Sequence, residues 1–78
     1  MSEKKFTCIL LVKVQSLCNS VKNHFNIDYI EAMNLVYHSK LYKALEKEET
    51  KMWYYSNYDL FIMFLEEKET GKYTVYGG

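Results

Sequence analysis

Ile27-Asp28-Tyr29-Ile30-Glu31-Ala32-Met33-Asn34-Leu35-Val36-Tyr37-His38-Ser39 decides the fold class. Asp28 and Glu31 have the spacing of an N-cap and the third helical position of a capping box, with Asp in place of Ser or Thr. Ile27 and Ala32 stand where the accompanying hydrophobic staple needs apolar side chains. Tyr29, Ala32, Met33, Val36 and Tyr37 then recur at i, i+3, i+4, i+7 and i+8, one face of a helix, with Ile30 and Leu35 on its flanks. His38-Ser39 breaks that pattern, and Ser39 is placed to cap a short next helix with Leu41, Ala44 and Leu45 turned inward.

Upstream, Phe6, Leu10, Val14, Leu17, Val21 and Phe25 fall three or four apart and predict one long helix capped by Ser2. A strand over Thr7–Val14 is the rival, but alternation fails at Ile9-Leu10-Leu11-Val12 and the stripe outlasts a strand. Asn26 suits the left-handed residue that ends a helix. Downstream, Glu46-Lys47-Glu48-Glu49 reads as a solvated face and Thr50 closes the segment. Met52-Trp53-Tyr54-Tyr55 carries no helical signature and reads as a short extended segment or a single turn. Ser56 and Asp59 start a last helix predicted to turn Tyr58, Phe61, Ile62 and Leu65 inward, with Leu60 and Phe64 beside them. Gly71 stops it, and Lys72–Tyr76 is open to an edge strand or to fraying. The expectation is a single all-α domain over residues 1–78. It is a compact bundle of three or four short helices around Leu10, Leu17, Val21, Val36, Leu45, Trp53, Phe61 and Leu65.

A chain of 78 residues is one small domain that buries only roughly 60% of its unfolded surface. Marginal stability of that kind makes a partner chain, including a second copy in a homodimer, a plausible supplement. Cys8 and Cys18 would lie about 15 Å apart along a helix, beyond disulfide reach, and read as small buried hydrophobes in a reducing cytoplasm. Ten acids balance ten bases, so no net field draws the chain to nucleic acid or anionic lipid. All ten bases are lysine, and the missing arginine weighs against base readout, though an AT-rich coding bias explains it equally. The apolar run Cys8–Val12 is too short to span a bilayer; it follows Lys4 and Lys5 as a signal-peptide core would, but Lys13 interrupts it and no small-residue cleavage site follows, so the expectation is a cytoplasmic protein.

Chemistry-bearing patterns are sparse. His24 with Asp28, and Glu31 with His38, are the nearest approach to metal pairs; the first straddles a helix break and the second spans seven residues. Neither cysteine lies beside a base, no Gly-x-Ser-x-Gly elbow is present, and three glycines build no phosphate loop. These features predict a non-enzyme without cofactor or metal. The two helices about His38-Ser39 admit a helix-turn-helix reading with Lys40, Lys43 and Lys47 along one side, opposed by Glu46, Glu48 and Glu49. One Trp, eight Tyr and four Phe make up 17% of the chain, more rings than so small a core hides. Exposed clustered tyrosine points to a protein partner, and Tyr54, Tyr55, Tyr42 and Tyr37 are the candidate contacts.

Glu31-Ala32-Met33, Val36-Tyr37-x-Ser39, Leu45, Thr50, Trp53, Ser56, Tyr58 and Glu66 resemble a group of short uncharacterised bacterial helical proteins, often encoded beside toxin-like genes. The resemblance covers about Ile27–Gly71 and departs at Lys51, where the group commonly has glycine. It implies an antitoxin-like or accessory role in the cytoplasm, exerted by binding another protein, and supplies no catalytic residues.

Overall fold

The computed structural model describes residues 2–73. Among them are α1 (Glu3–Phe25), α2 (Tyr29–Tyr37), α3 (Lys40–Leu45), two 3-10 turns (Glu48–Thr50 and Met52–Tyr54) and α4 (Asn57–Thr70). The all-α expectation holds; the suggested strand over 72–76 falls largely outside the described residues.

The helix boundaries follow from side chains that satisfy amides left without a carbonyl behind them. Ser2 Oγ accepts from the Lys5 amide at 3.2 Å, Asp28 Oδ1 from Glu31 at 2.8 Å, and Ser56 Oγ from Asp59 at 3.1 Å. Buried Ser39 accepts from the Tyr42 amide at 3.0 Å while donating its own proton to the Val36 carbonyl at 2.6 Å, so no part of its hydroxyl is orphaned. Asn26 ends α1 at φ 55° and Gly71 ends α4 at φ 82°. Lys51 also sits left-handed, at φ 58°, where glycine is the unstrained residue. The Thr50 hydroxyl reaches the Ala44 carbonyl at 2.6 Å and that of Lys47 at 2.8 Å, folding the chain back under α3.

Val14, Leu17, Cys18 and Val21 of α1 pack with Ala32 and Val36, Leu41 and Leu45, Met52, and Leu60, Met63 and Phe64 in one core. Fully burying each of the larger side chains contributes roughly 1.5–3 kcal/mol. α1 is the platform: α2, α4 and the second 3-10 turn lie on it, and α3 bridges α2 to α4.

Four expectations need correction. α4 is rotated from its predicted orientation: Leu60, Met63 and Phe64 are buried, Phe61 and Leu65 are only partly so, and Tyr58 is 71% exposed. The run Leu60–Leu65 is apolar all round, so periodicity singles out no face. Glu67 does, since it shares a helical face with Leu60, Met63 and Phe64. Its carboxylate accepts from the first amides of α3, Lys40 at 2.8 Å and Leu41 at 3.0 Å. Leu10 and Trp53 pack at the core's edge rather than within it, and Phe25, the last residue of α1, is exposed. Cys8 is exposed, unlike Cys18, because it lies roughly 200° around α1 from both Phe6 and Leu10, on the opposite side from the core stripe.

Glu67→Gln keeps the shape but offers one acceptor and one donor to two amide donors. Hydrogen bonds to a charged group contribute more than neutral ones, so the substitution is expected to cost about 1–2 kcal/mol, read as a lower urea midpoint. An unchanged midpoint would contradict the assignment.

Candidate protein-interaction surface

The second 3-10 turn brings Trp53 against α1. Lys13 Nζ donates to the Tyr55 carbonyl at 2.8 Å, tying the turn to the middle of the helix. Trp53 meets Phe6 edge-on at a centroid distance of 6.4 Å, and its indole N–H donates to the Glu48 carbonyl at 2.9 Å. Tyr54 stacks edge-on against that fixed indole at 6.1 Å, and its ring is 80% exposed. A large amphipathic ring is thus held on an ordered base and displayed to solvent.

The four predicted contact tyrosines fall into different settings. Tyr54 belongs to the stack with Trp53 and Phe6, whereas Tyr37 and Tyr42 pair edge-to-face at 4.8 Å beside the α2–α3 break. Tyr37 is exposed; Tyr42 and Tyr55 pack against the core and offer only an edge. Tyr58 is another exposed ring, and its rotation outward follows from the α4 register.

The structure adds an outward strip on α1. Leu11 is 56% and Val12 61% exposed. Cys8, Ile9, Val12 and Lys13 line a shallow hollow of about 320 Å³ on the surface of α1. The signal was present in Cys8–Val12: five consecutive apolar residues cover more than one full turn, so a helix whose stripe passes through Phe6, Leu10 and Val14 cannot bury them all.

Both histidines have partners within the fold. His24 lies edge-on to Phe25 at 4.8 Å and Phe61 at 5.5 Å, and His38 Nδ1 is 2.7 Å from the Asn34 carbonyl. Among the described residues, no three His, Cys, Asp or Glu side chains converge as a metal site would need. No helix among them is long and apolar enough to cross a membrane. Burial pushes the Cys18 thiol up from its ordinary value of 9.0, partly offset by a hydrogen bond from Tyr29. Burial likewise raises the Tyr29, Tyr42 and Tyr73 hydroxyls, assisted by the nearby Cys18, Glu46 and Glu67 respectively.

No family model, curated protein or solved structure matches this chain.

These shifts fix the sign of the alkaline response. Groups whose folded pKa is raised hold their protons longer in the native state. Their stabilisation is complete below the unfolded value and is lost as pH climbs through the folded one. Denaturation midpoints are therefore expected to hold to about pH 9 and fall above it. In the same range the thiol-specific reagent DTNB should label Cys8 rapidly and Cys18 only on unfolding. Two equally fast thiols would refute this placement.

Proposed function

We propose that this protein acts by binding another protein, as a small accessory or antitoxin-like module of a bacterial cytoplasm with no chemistry of its own. The observation that carries this reading is Tyr54: a ring 80% exposed yet seated on Trp53, itself anchored to Phe6 and the Glu48 carbonyl. A pre-positioned aromatic loses little conformational freedom on binding, and Tyr and Trp dominate interface hot spots. Leu11, Val12 and Tyr58 are further exposed apolar or aromatic side chains.

A helix-turn-helix reading draws less support. α3 has six residues, buries Leu41 and Leu45, and spends its first two amides on Glu67. A reading helix needs those N-terminal positions turned toward the groove.

Tyr54 and Trp53 separate binding from folding. Tyr54→Ala should leave thermal stability within about 0.5 kcal/mol, as surface substitutions do, while weakening retention of the partner captured from the source cells by tagged full-length protein. Trp53→Ala should instead cost about 2–4 kcal/mol, part of a buried-Trp truncation. If Tyr54→Ala and the parent retain the same proteins equally, the tyrosine is not a contact.

A further inference from the structure

Between α3 and α4 the chain forms a strap, residues 47–55, built from the two 3-10 turns. Its hydrogen bonds are local. The amides of Thr50, Lys51, Tyr54 and Tyr55 donate to the carbonyls of Lys47, Glu48, Lys51 and Met52. The Trp53 indole returns to the Glu48 carbonyl, so the two turns are tied to each other. Breaking these bonds disturbs no helix. Met52 is the strap residue enclosed in the core, whose other buried members come from the four α-helices; Trp53 and Tyr55 pack against it from the rim. The strap is held on α1 by the edge contact of Trp53 with Phe6 at 6.4 Å and by the Lys13 ammonium on the Tyr55 carbonyl at 2.8 Å. Closure also keeps Lys51 left-handed at φ 58°, a conformation that costs an L side chain energy and that opening would release.

These observations set two unequal costs. Opening the bundle gives up the whole core, whereas lifting the strap gives up Met52 and the contacts of two short turns. The packing of α1 on α2 and α4, and of Glu67 on the α3 amides, involves no strap residue. Turns of three residues do not hold themselves together in water, so a lifted strap loses its internal bonds together. We propose that residues 47–55 open as one unit while the helices stay packed, with Lys13 as the latch, and that closure is what seats Tyr54. Tyr54 rests on Trp53, and Trp53 is positioned by the contacts of the closed strap. A partner that needs this ring therefore binds the closed form and favours it over the open one. That consequence rests on the protein-binding reading above; the opening itself does not.

The test is native-state hydrogen exchange, followed by NMR on the full chain alone across low urea concentrations, so its failure leaves the protein-binding reading standing. Trp53 is the single tryptophan, and its indole proton is one reporter. That proton and the Tyr54 and Tyr55 amides should share one protection factor, at least about tenfold below that of the Phe64 amide and nearly independent of urea. Glu67→Gln should lower the protection of Phe64 and leave the strap protons unchanged, because the Glu67 contacts persist while the strap is open. Lys13→Met should lower protection at the strap and at Phe64 by the same factor, about tenfold, since the latch is lost in both openings. Strap protons protected like Phe64, or lowered along with it by Glu67→Gln, would overturn the proposal. So would strap protons that differ from one another in protection, the mark of residue-by-residue fraying, or that ignore Lys13→Met. Opening as described, with partner capture indifferent to Tyr54→Ala, would overturn its link to binding.

Discussion

The first three amides of α3, those of Lys40, Leu41 and Tyr42, have no carbonyl one turn behind them, and a six-residue helix cannot leave half its amides unsatisfied beside a core. Glu67 meets the first two from α4, and Ser39 meets the third from the preceding residue. The Glu67 carboxylate also lies at the positive end of the α3 dipole, where a negative charge is favoured. Nearby, the Lys40 ammonium donates to the Gly71 carbonyl at 3.1 Å, so the start of α3 and the end of α4 hold each other by contacts in both directions. The consequence reaches past the two helices. Because Glu67 shares a face with Leu60, Met63 and Phe64, fixing the carboxylate fixes which side of an otherwise uniformly apolar helix enters the core. Tyr58 is turned outward as a result.

This constraint explains what could and could not be read from the residues. Caps and stops were legible: Ser2, Asp28, Ser39 and Ser56 start the helices and Asn26 and Gly71 end two of them, each by chemistry confined to a few neighbouring positions. The stripe on α1 was legible because its polar positions are regularly spaced. The rotation of α4 was not, since Leu60–Leu65 has no polar position to mark an outer face and the deciding contact joins residues 26 and 27 apart in sequence. Trp53 was foreseen in the core, yet its indole N–H needs an acceptor, and the Glu48 carbonyl at the rim supplies one.

The exposure of the aromatic rings was legible in kind and only partly in place. Excess aromatic content predicted exposed rings, and Tyr54 is one. Tyr42 and Tyr55 are half covered because the turns bearing them fold against the core. The strip of Leu11 and Val12 was hidden in plain sequence, since an unbroken apolar run looks like core until the helix carrying it is seen to have only one buried side. Tyr54 on its turn and Leu11 and Val12 on α1 are exposed, while Lys13 is held by the Tyr55 carbonyl.

Amide hydrogen exchange at Lys40 and Leu41 tests the central claim most directly. Amides in the first turn of a helix are ordinarily open to water and exchange quickly. If Glu67 closes the bundle as described, both amides should exchange as slowly as that of Phe64, through the same global opening. Exchange at Lys40 and Leu41 near the rate of an unprotected chain, with Phe64 still protected, would contradict it.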